Sequence, residues 1–341
     1  MTPEKIFKDT IFTNCIMKYG NDCFGYIVHN GYSLHIYNNY MSVSKFKEFK
    51  EEMMVSHLKA YDEYIKGSGQ ELFPKDTAPP KMACFASSSR FCYKALSNGE
   101  VYFNTAPDNW SFEKPCPIFY ISDKDTTKRP SQPPHLDAYL QGQNIYIEAK
   151  CQEIFNDHTT KLKKAYWEYI ASKRKIDIKG KTYNIGFNLS FTIPKPTASE
   201  FDIPFKEFGI TLKGNSIRGK KIYLRYFDFK QFLCHLLGIA CENIKKGVVD
   251  KKEKATLCYM FFKPLSDNKD TNLILDNLFK ELEAEINEVF NNQHIKNFCD
   301  ENNIKLRAIA EEAKVMEKLG GLKALPSQDN SNNVVVLFKP T

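Results

Sequence analysis

The sequence predicts an α/β protein with a separate extension at its N-terminal end. After residue 85, stretches with the pattern of strands alternate with amphipathic helices, which is typical of an α/β core. Before residue 80, a hairpin pattern and one helix are set off from that core by a stretch rich in glycine and proline. With 42% hydrophobic side chains in 341 residues, the chain has ample material for a buried core.

The extension, residues 1–80, is predicted to hold a β-hairpin followed by a helix. Residues 24–29 and 32–37 flank Asn30-Gly31, a dipeptide that favours a type I′ turn because both of its residues tolerate positive φ. Ser42 or Ser44 then caps a helix that runs to about Lys66.

The core, residues 85–265, is predicted from strand and helix periodicity and from capping residues. Its predicted strands lie at 100–103, 118–121, 135–140, 144–150, 221–227 and 255–262, and its predicted helices at 88–96, 157–172 and 228–245. The C-terminal part, residues 266–341, is predicted to add a helix at 271–291 and a closing strand at 334–338 that pack on the core.

Composition and motifs exclude several classes of function. No stretch reaches the roughly 18 consecutive apolar residues of a membrane span, and the charged start MTPEKIFKDT lacks the apolar run of a signal peptide. None of the ten cysteines forms a CxxC pair, which argues against a zinc ribbon. No GxxxxGK[ST] motif is present, which excludes a P-loop motor. We therefore expect a cytoplasmic protein with reduced cysteines and no membrane partner.

Two neighbouring predicted strands carry the residues of most chemical interest. Side chains alternate along a strand, so Glu148 and Lys150 leave the same face of IYIEAK. Asp137, in the preceding strand HLDAYL, shares that face only if it is paired directly opposite Glu148. A type II′ turn centred on Gly142-Gln143 gives this register, as would a β-bulge, whereas a symmetric three-residue loop would place the two acids on opposite faces.

Carboxylates that converge with a backbone carbonyl at strand ends form an oxygen-rich site suited to Mg²⁺. Here the ligands would be Asp137, Glu148 and the carbonyl of Ala149. A bound Mg²⁺, or Mn²⁺ in its place, would stabilise charge on a phosphoryl group and lower the pKa of a bound water. Lys150 would orient that water or stabilise the transition state. The pattern therefore indicates metal-assisted hydrolysis of a phosphodiester; an ordinary edge hairpin with surface charges is the competing interpretation.

The motif resembles that of the PD-(D/E)XK nuclease superfamily, whose fold is called restriction-endonuclease-like. Asp137 stands where the family has its first acid, and Glu148-Ala149-Lys150 matches its (D/E)-x-K motif. Pro134 lies three residues before Asp137, so the literal Pro-Asp pair is absent. The resemblance covers roughly residues 85–265. It implies a core in the order helix–strand–strand–strand–helix–strand, with a mixed central sheet flanked by helices, most similar to a bacterial type II restriction endonuclease.

The resemblance also implies supporting residues. Gln231 matches a polar residue, often Gln, on the helix after the (D/E)-x-K motif, and Glu153 is a further acid just past that motif. Many members add an acidic ligand from their first helix. The predicted helix at 88–96 has no acid, and Glu63 and Glu71 are the candidates from the N-terminal part.

The resulting prediction is a Mg²⁺-dependent endodeoxyribonuclease that cleaves double-stranded DNA, as a restriction enzyme in defence against phage and other foreign DNA. This class leaves open a homodimer and a cognate methyltransferase encoded nearby. Two alternatives stay open: a repair or recombination nuclease that recognises DNA structure, and a catalytically inactive protein of nuclease-like fold that only binds nucleic acid.

The basic residues indicate where DNA would lie. The chain carries 48 Lys and Arg against 41 Asp and Glu, a net charge of +7, and basic residues cluster in two runs. Such runs contact phosphates, which gives affinity without sequence specificity, although taken alone they are also typical of solvated surface. The candidates are Lys161, Lys164, Lys173, Arg174, Lys175, Arg218, Lys220 and Lys221.

Overall fold

A computed structural model of the chain describes residues 1–30, 33–67, 70–97, 107–118, 133–156, 160–163, 166, 169–170, 175–178, 180–187, 200–203, 224–247, 249, 254–316 and 334–336. Its helices are α1 (Pro3–Tyr19), α2 (Val43–Ser56), α3 (Leu58–Lys66), α4 (Ser88–Ser97), α5 (Phe229–Lys246), α6 (Lys269–Phe290) and α7 (Gln293–Glu301). Its strands are β1 (Phe24–Asn30), β2 (Ser33–Met41), β3 (Trp110–Pro115), β4 (His135–Leu140), β5 (Ile145–Lys150), β6 (Thr160–Lys163), β7 (Lys175–Ile178), β8 (Lys181–Asn184), β9 (Glu200–Ile203), β10 (Ala255–Pro264), β11 (Ile304–Ala313) and β12 (Val334–Val336).

A six-stranded mixed sheet forms the centre of the molecule, in the order β12-β11-β10-β5-β4-β3. Strands β3, β4 and β5 run antiparallel to one another, whereas β5, β10, β11 and β12 are parallel. Helices cover both faces. Phe91 of α4 packs against Phe262 of β10, and Phe232 of α5 packs against Tyr259 of the same strand. The expected α/β class, with a mixed central sheet flanked by helices, is confirmed.

Strands β5 and β10 lie at the middle of this sheet and are apolar almost throughout, because both of their faces are covered. Every residue of β10 except Thr256 is buried. Its one charged residue, Lys263, is compensated by Asp276 and Glu312, each 2.7 Å from the ammonium. The two strands thus form the centre of the sheet, and the charged end of β5 lies within it, with Lys150 paired to Phe261 of β10.

The N-terminal extension contains the predicted hairpin, β1 and β2, but its register differs by one residue. Asn30 pairs with Ser33, so the connecting residues are 31–32 rather than Asn30-Gly31, and they lie outside the described residues. Ser42 caps α2 as predicted, through a hydrogen bond from the backbone N–H of Lys45.

Two helices of the extension differ from the prediction. The single helix expected up to Lys66 is broken at His57, whose ring nitrogen Nδ1 is 3.0 Å from the hydroxyl of Tyr93. The chain begins with α1, which was not predicted because its polar residues hide a narrow buried stripe. Phe7, on that stripe, packs edge-on against Phe155.

Several core predictions are also wrong in place or type. A strand that was not predicted, β3 at 110–115, pairs with β4; of the predicted strand at 118–121 only residue 118 is described, and it is irregular. The predicted strand at 221–227 is irregular over its described part, 224–227. Of the predicted helix at 157–172, residues 160–163 form strand β6, which pairs with β9, whereas the described residues 166, 169 and 170 are helical. The predicted strand at 100–103 lies outside the described residues.

Helix α5 approaches the sheet edge closely because it contains a glycine. A Cβ on Gly238 would lie 2.7 Å from both the Cβ and the carbonyl oxygen of Cys116. The first turn of the same helix lies at the charged end of β5, where Gln231 bonds to Glu148 and Lys150. Within the described ranges, no helix combines the length and the apolar character needed to cross a membrane.

Candidate active site

Asp137 and Glu148 stand side by side on the antiparallel strands β4 and β5. Ala138 pairs with Ile147, so the next position along places Asp137 opposite Glu148, and the predicted register is confirmed. Oδ2 of Asp137 accepts a hydrogen bond of 2.7 Å from the backbone N–H of Ala149. Because a strand residue points its N–H and C=O toward the same neighbour, the carbonyl of Ala149 also faces Asp137.

The turn that sets this register differs from the predicted type II′ turn. Residues Gln141–Gln143 form one 3₁₀ turn, and Asn144 closes it in the left-handed region at φ 52°. Gly142 has no positive φ, which a type II′ turn requires at its first central position. Asn144 therefore supplies the left-handed residue, a role to which Asn is suited, and the register is unchanged.

Glu148, Lys150 and Gln231 form a closed hydrogen-bonded triangle. The ammonium of Lys150 lies 2.7 Å from Oε1 of Glu148 and 2.6 Å from Oε1 of Gln231. The amide of Gln231 donates to the same oxygen of Glu148 at 2.9 Å. Gln231 is fixed in the first turn of α5, where Asp228 caps the helix by accepting from the backbone N–H of Gln231 at 2.9 Å. The family resemblance predicts that Gln231 lies beside the Glu-x-Lys motif, and in the structure it does.

A buried histidine lies behind Glu148. Nε2 of His235 is 3.7 Å from Oε2 of Glu148, and its Nδ1 is 3.2 Å from the hydroxyl of Tyr259. Burial lowers the pKa of His235 despite the nearby carboxylate. The ring is therefore neutral at pH 7, and both oxygens of Glu148 have neighbouring polar groups on the protein side.

The charged ends of β4 and β5 open into a cavity of about 440 Å³. Besides Asp137, Glu148 and Lys150, three further acids line it: Glu71, Glu113 and Glu153. Glu113 of β3 lies opposite Asp137, because its two neighbours on β3 pair with the two neighbours of Asp137 on β4. Glu113, Asp137 and Glu148 therefore form a row of acids across the three adjacent strands β3, β4 and β5. Glu71 is 4% exposed, and its Oε2 has no hydrogen-bond partner, while its Oε1 is 3.1 Å from the ammonium of Lys81.

Burial and like charge shape the ionisation of this cavity. The pKa of Asp137 is raised well above its ordinary value, first by burial and then by repulsion from Glu148. The pKa of Glu113 is raised to about 7 by burial and by Glu71. Burial disfavours the ammonium of Lys150, but Glu148 and Asp137 outweigh that effect, and its pKa is raised. The site therefore holds a permanent cation among carboxylates that repel one another.

Sequence reasoning missed Glu113 and left Glu71 as one of two alternatives. Of that pair, Glu63 is used elsewhere, since its Oε2 accepts from the backbone N–H of Phe112 at 2.7 Å. Glu113 gave no signal because its strand is short and bounded by Pro107, Pro115 and Pro117, and because its own φ of 52° is unusual for a strand.

The remaining predicted residues are placed less completely. Glu153 lines the cavity, and its Oε2 accepts from the backbone N–H of Cys151 at 2.8 Å. Lys175 is exposed on β7, and Lys161 belongs to β6. Outside the described residues lie Lys164, Lys173, Arg174, Arg218, Lys220 and Lys221.

Among the described residues, no three side chains of His, Cys, Asp or Glu are grouped closely enough to form a ready-made metal site. Comparison with known proteins gives no family assignment: no protein-family model, no curated protein and no solved structure matches the chain. The chemistry must therefore be argued from the geometry of the cavity.

Proposed function

We propose that the protein is a divalent-cation-dependent endonuclease that hydrolyses phosphodiester bonds in double-stranded DNA. The observation that carries the proposal is the convergence of Asp137, Glu148 and Lys150 in one cavity at the ends of adjacent strands. Residues that are separated in sequence and chemically suited to one reaction meet there, together with Gln231 from a helix.

The order of elements around the cavity supports the resemblance to PD-(D/E)XK nucleases. Helix α4 is followed by β3, β4 and β5, then, after the four short strands β6 to β9, by α5 and by β10, which runs parallel to β5. Asp137 lies on the second of these strands, and the Glu-x-Lys sequence ends the third. A type II restriction endonuclease is the member of this class that we propose.

The cavity fits a divalent cation by its donor chemistry. Mg²⁺ commonly uses only one or two protein carboxylates and keeps several waters, so a ready-made set of three ligands is not required. The mutual repulsion of Asp137 and its neighbours, and the unpartnered oxygen of Glu71, are what a nearby cation would relieve. Asp137, Glu148 and the carbonyl of Ala149 would hold the ion, which when bound stabilises phosphoryl charge and acidifies a bound water.

The protein's own groups have separate tasks in this proposal. Lys150 orients the attacking water and stabilises negative charge on the phosphoryl group. Gln231 fixes the ammonium of Lys150 and one oxygen of Glu148, so that neither can turn away. The backbone N–H of Ala149 holds Asp137. Glu153 and Glu71 supply further acidic oxygens around the cavity.

The experiment is a cleavage assay on supercoiled plasmid with Mg²⁺, Mn²⁺, Ca²⁺ or EDTA. We expect cleavage with Mg²⁺ and Mn²⁺ and none in EDTA, and we expect Lys150→Ala to lower the rate roughly 10²–10³-fold. Lys47→Ala is the matched control, because Lys47 is 74% exposed on α2. Undiminished cleavage in EDTA, or full activity of Lys150→Ala, would overturn the proposal.

A substrate panel separates the proposed restriction enzyme from its alternatives. Sequence-dependent cutting of unbranched duplex supports restriction, whereas preference for branched or single-stranded DNA supports a repair or recombination nuclease. DNA binding with no cleavage of any substrate in any metal would favour a protein that only binds nucleic acid.

A further inference from the structure

A second cavity of about 320 Å³ adjoins the candidate active site. The two cavities share Lys150, Glu153, Asn156 and Gln231 in their walls, so a group in the second cavity would lie directly beside the reacting phosphate. Nothing in the mechanism proposed above uses this space. Its volume is within the range of small-ligand sites, about 300–1,000 Å³.

Aromatic side chains form the inner wall of this second cavity. Tyr226 and Phe227 come from the irregular segment before α5, and Tyr259 and Phe261 come from the adjoining strand β10. Phe227 and Tyr259 meet edge to face, with ring centroids 5.3 Å apart. Such a wall suits a flat aromatic ligand, because ring faces and edges attract one another beyond their buried area.

The aromatic wall is held in place before any ligand arrives. The carboxylate of Glu285, on α6, accepts hydrogen bonds from three successive backbone N–H groups, those of Arg225, Tyr226 and Phe227, at 2.8 to 3.0 Å. Charge-assisted bonds of this kind are stronger than neutral ones. Three hydrogen bonds thereby hold an irregular segment in one conformation, which is what a preformed binding wall requires.

The charges around the second cavity favour an uncharged ligand over a phosphate. Glu153 and Asp228 contribute two carboxylates, and Lys150, which is already engaged by Glu148, is the single cation among the described residues of the wall. Asn156 is exposed at the wall and brings an amide, which can both donate and accept hydrogen bonds. A nucleobase matches these features, since it is flat, aromatic and uncharged, and carries donors and acceptors on its edge.

We propose that this cavity receives the base of a nucleotide next to the cleaved phosphodiester, an inference that rests on the proposed nuclease function. The substrate must then present that base unpaired, either because the protein extrudes it from the duplex or because it is already unpaired. Unpairing costs a few kcal/mol and costs least where a base has no partner. Stacking on aromatic side chains offsets that cost.

The test measures equilibrium binding of fluorescent duplexes by anisotropy in Ca²⁺, after the cleavage position has been mapped in Mg²⁺. At each nucleotide flanking that position, three duplexes are compared: an intact pair, one lacking the partner base, and one lacking the base expected in the cavity. Removing the partner should tighten binding at least about fivefold, because no pair has to be opened. Removing the inserted base should leave binding about five- to 100-fold weaker than removing its partner, the range expected for one base stacked on aromatic rings.

Two variants assign this difference to the cavity. Tyr226→Leu removes aromatic wall and should shrink the difference between the two lesion duplexes to about twofold or less. Tyr183→Leu is the matched control, since Tyr183 is a partly buried tyrosine on β8 that does not line the cavity. Should Tyr226→Leu fail to fold, Asn156→Ala at the exposed rim should reduce the same difference.

The outcomes distinguish failure of the proposed base site from failure of the nuclease function on which it rests. A protein that cleaves DNA yet binds both lesion duplexes equally would overturn the base site and leave the nuclease proposal standing. An unchanged difference in both Tyr226→Leu and Asn156→Ala would likewise overturn it. A wild-type protein that cleaves no DNA would overturn the nuclease proposal itself.

Discussion

Replacing Glu113 by glutamine should stabilise the protein at alkaline pH. Glu113 stands opposite Asp137 in the row of acids, and its pKa is raised from 4.5 to about 7 by burial and by Glu71. A carboxyl whose pKa is higher in the folded than in the unfolded state binds its proton more tightly when folded. The protonated Glu113 therefore contributes to the free energy of unfolding in full below pH 4.5, and this contribution is lost as the pH rises to about 7.

The size of this loss follows from the shift. From 4.5 to about 7 is about 2.5 pH units, and each unit corresponds to about 1.4 kcal/mol. Above pH 7 the ionised Glu113 thus lowers the free energy of unfolding by up to about 3 kcal/mol. Glutamine has nearly the same shape and no charge, so Glu113→Gln should match the wild type near pH 4.5 and exceed it by up to that amount at pH 8.

The assay is urea unfolding followed by circular dichroism at several pH values between 4.5 and 8.5, with EDTA present. The matched control is Glu288→Gln, an exposed position on α6, which should follow the wild type at every pH. Adding Mg²⁺ should narrow the gap between wild type and Glu113→Gln at pH 8, because a cation near the acids favours their ionised forms. A Glu113→Gln curve parallel to that of the wild type across the whole range would refute this account of the cavity.

Three further outcomes are expected. Gln231→Ala should lower the cleavage rate less than Lys150→Ala does and should leave DNA affinity within about twofold, because Gln231 acts by holding its neighbours; plasmid nicking and anisotropy measure the two. Glu285→Ala should lower the free energy of unfolding by about 2–3 kcal/mol, since it leaves the buried backbone N–H groups of Tyr226 and Phe227, and the part-buried one of Arg225, without their acceptor; chemical denaturation measures it. DNA affinity should fall with a log–log salt slope of several units, and a flat response would assign the basic runs to solvated surface.

The central elements could be predicted from sequence because their signals are local. Strand β5 reads as apolar residues ending in Glu148 and Lys150, and α5 has a capping Asp228 and a wide apolar face. Because side chains alternate along a strand, Glu148 and Lys150 share one face of β5. The register that pairs Asp137 with Glu148 then brings Asp137 to the same face. Gln231 could be predicted because it lies one turn into that well-marked helix.

The parts that escaped prediction depend on contacts between distant segments. Glu71 reaches the cavity from a segment with little regular structure, and Glu113 belongs to a strand whose prolines and positive φ disguise it. The segment 224–227 has the sequence pattern of a strand. Glu285 of α6, however, accepts hydrogen bonds from its N–H groups, which are then not available to pair with a neighbouring strand. No local pattern encodes a carboxylate supplied from 58 or more residues away.

The charges of the row of acids indicate a function beyond stability. A buried carboxylate is costly unless it is paired or binds a cation, and here Glu113, Asp137 and Glu148 lie on adjacent strands with Glu71 beside them. Lys150 and Lys81 are the cations among the cavity's described lining residues, and each already pairs with one of these acids. Asn or Gln at these positions would fit the same space at lower cost, so stability alone does not account for the charges. A site that must attract a divalent cation into a phosphate-bearing cleft does need these negative charges. The stability of Glu113→Gln and the metal dependence of cleavage therefore test the same electrostatic arrangement by two independent measurements.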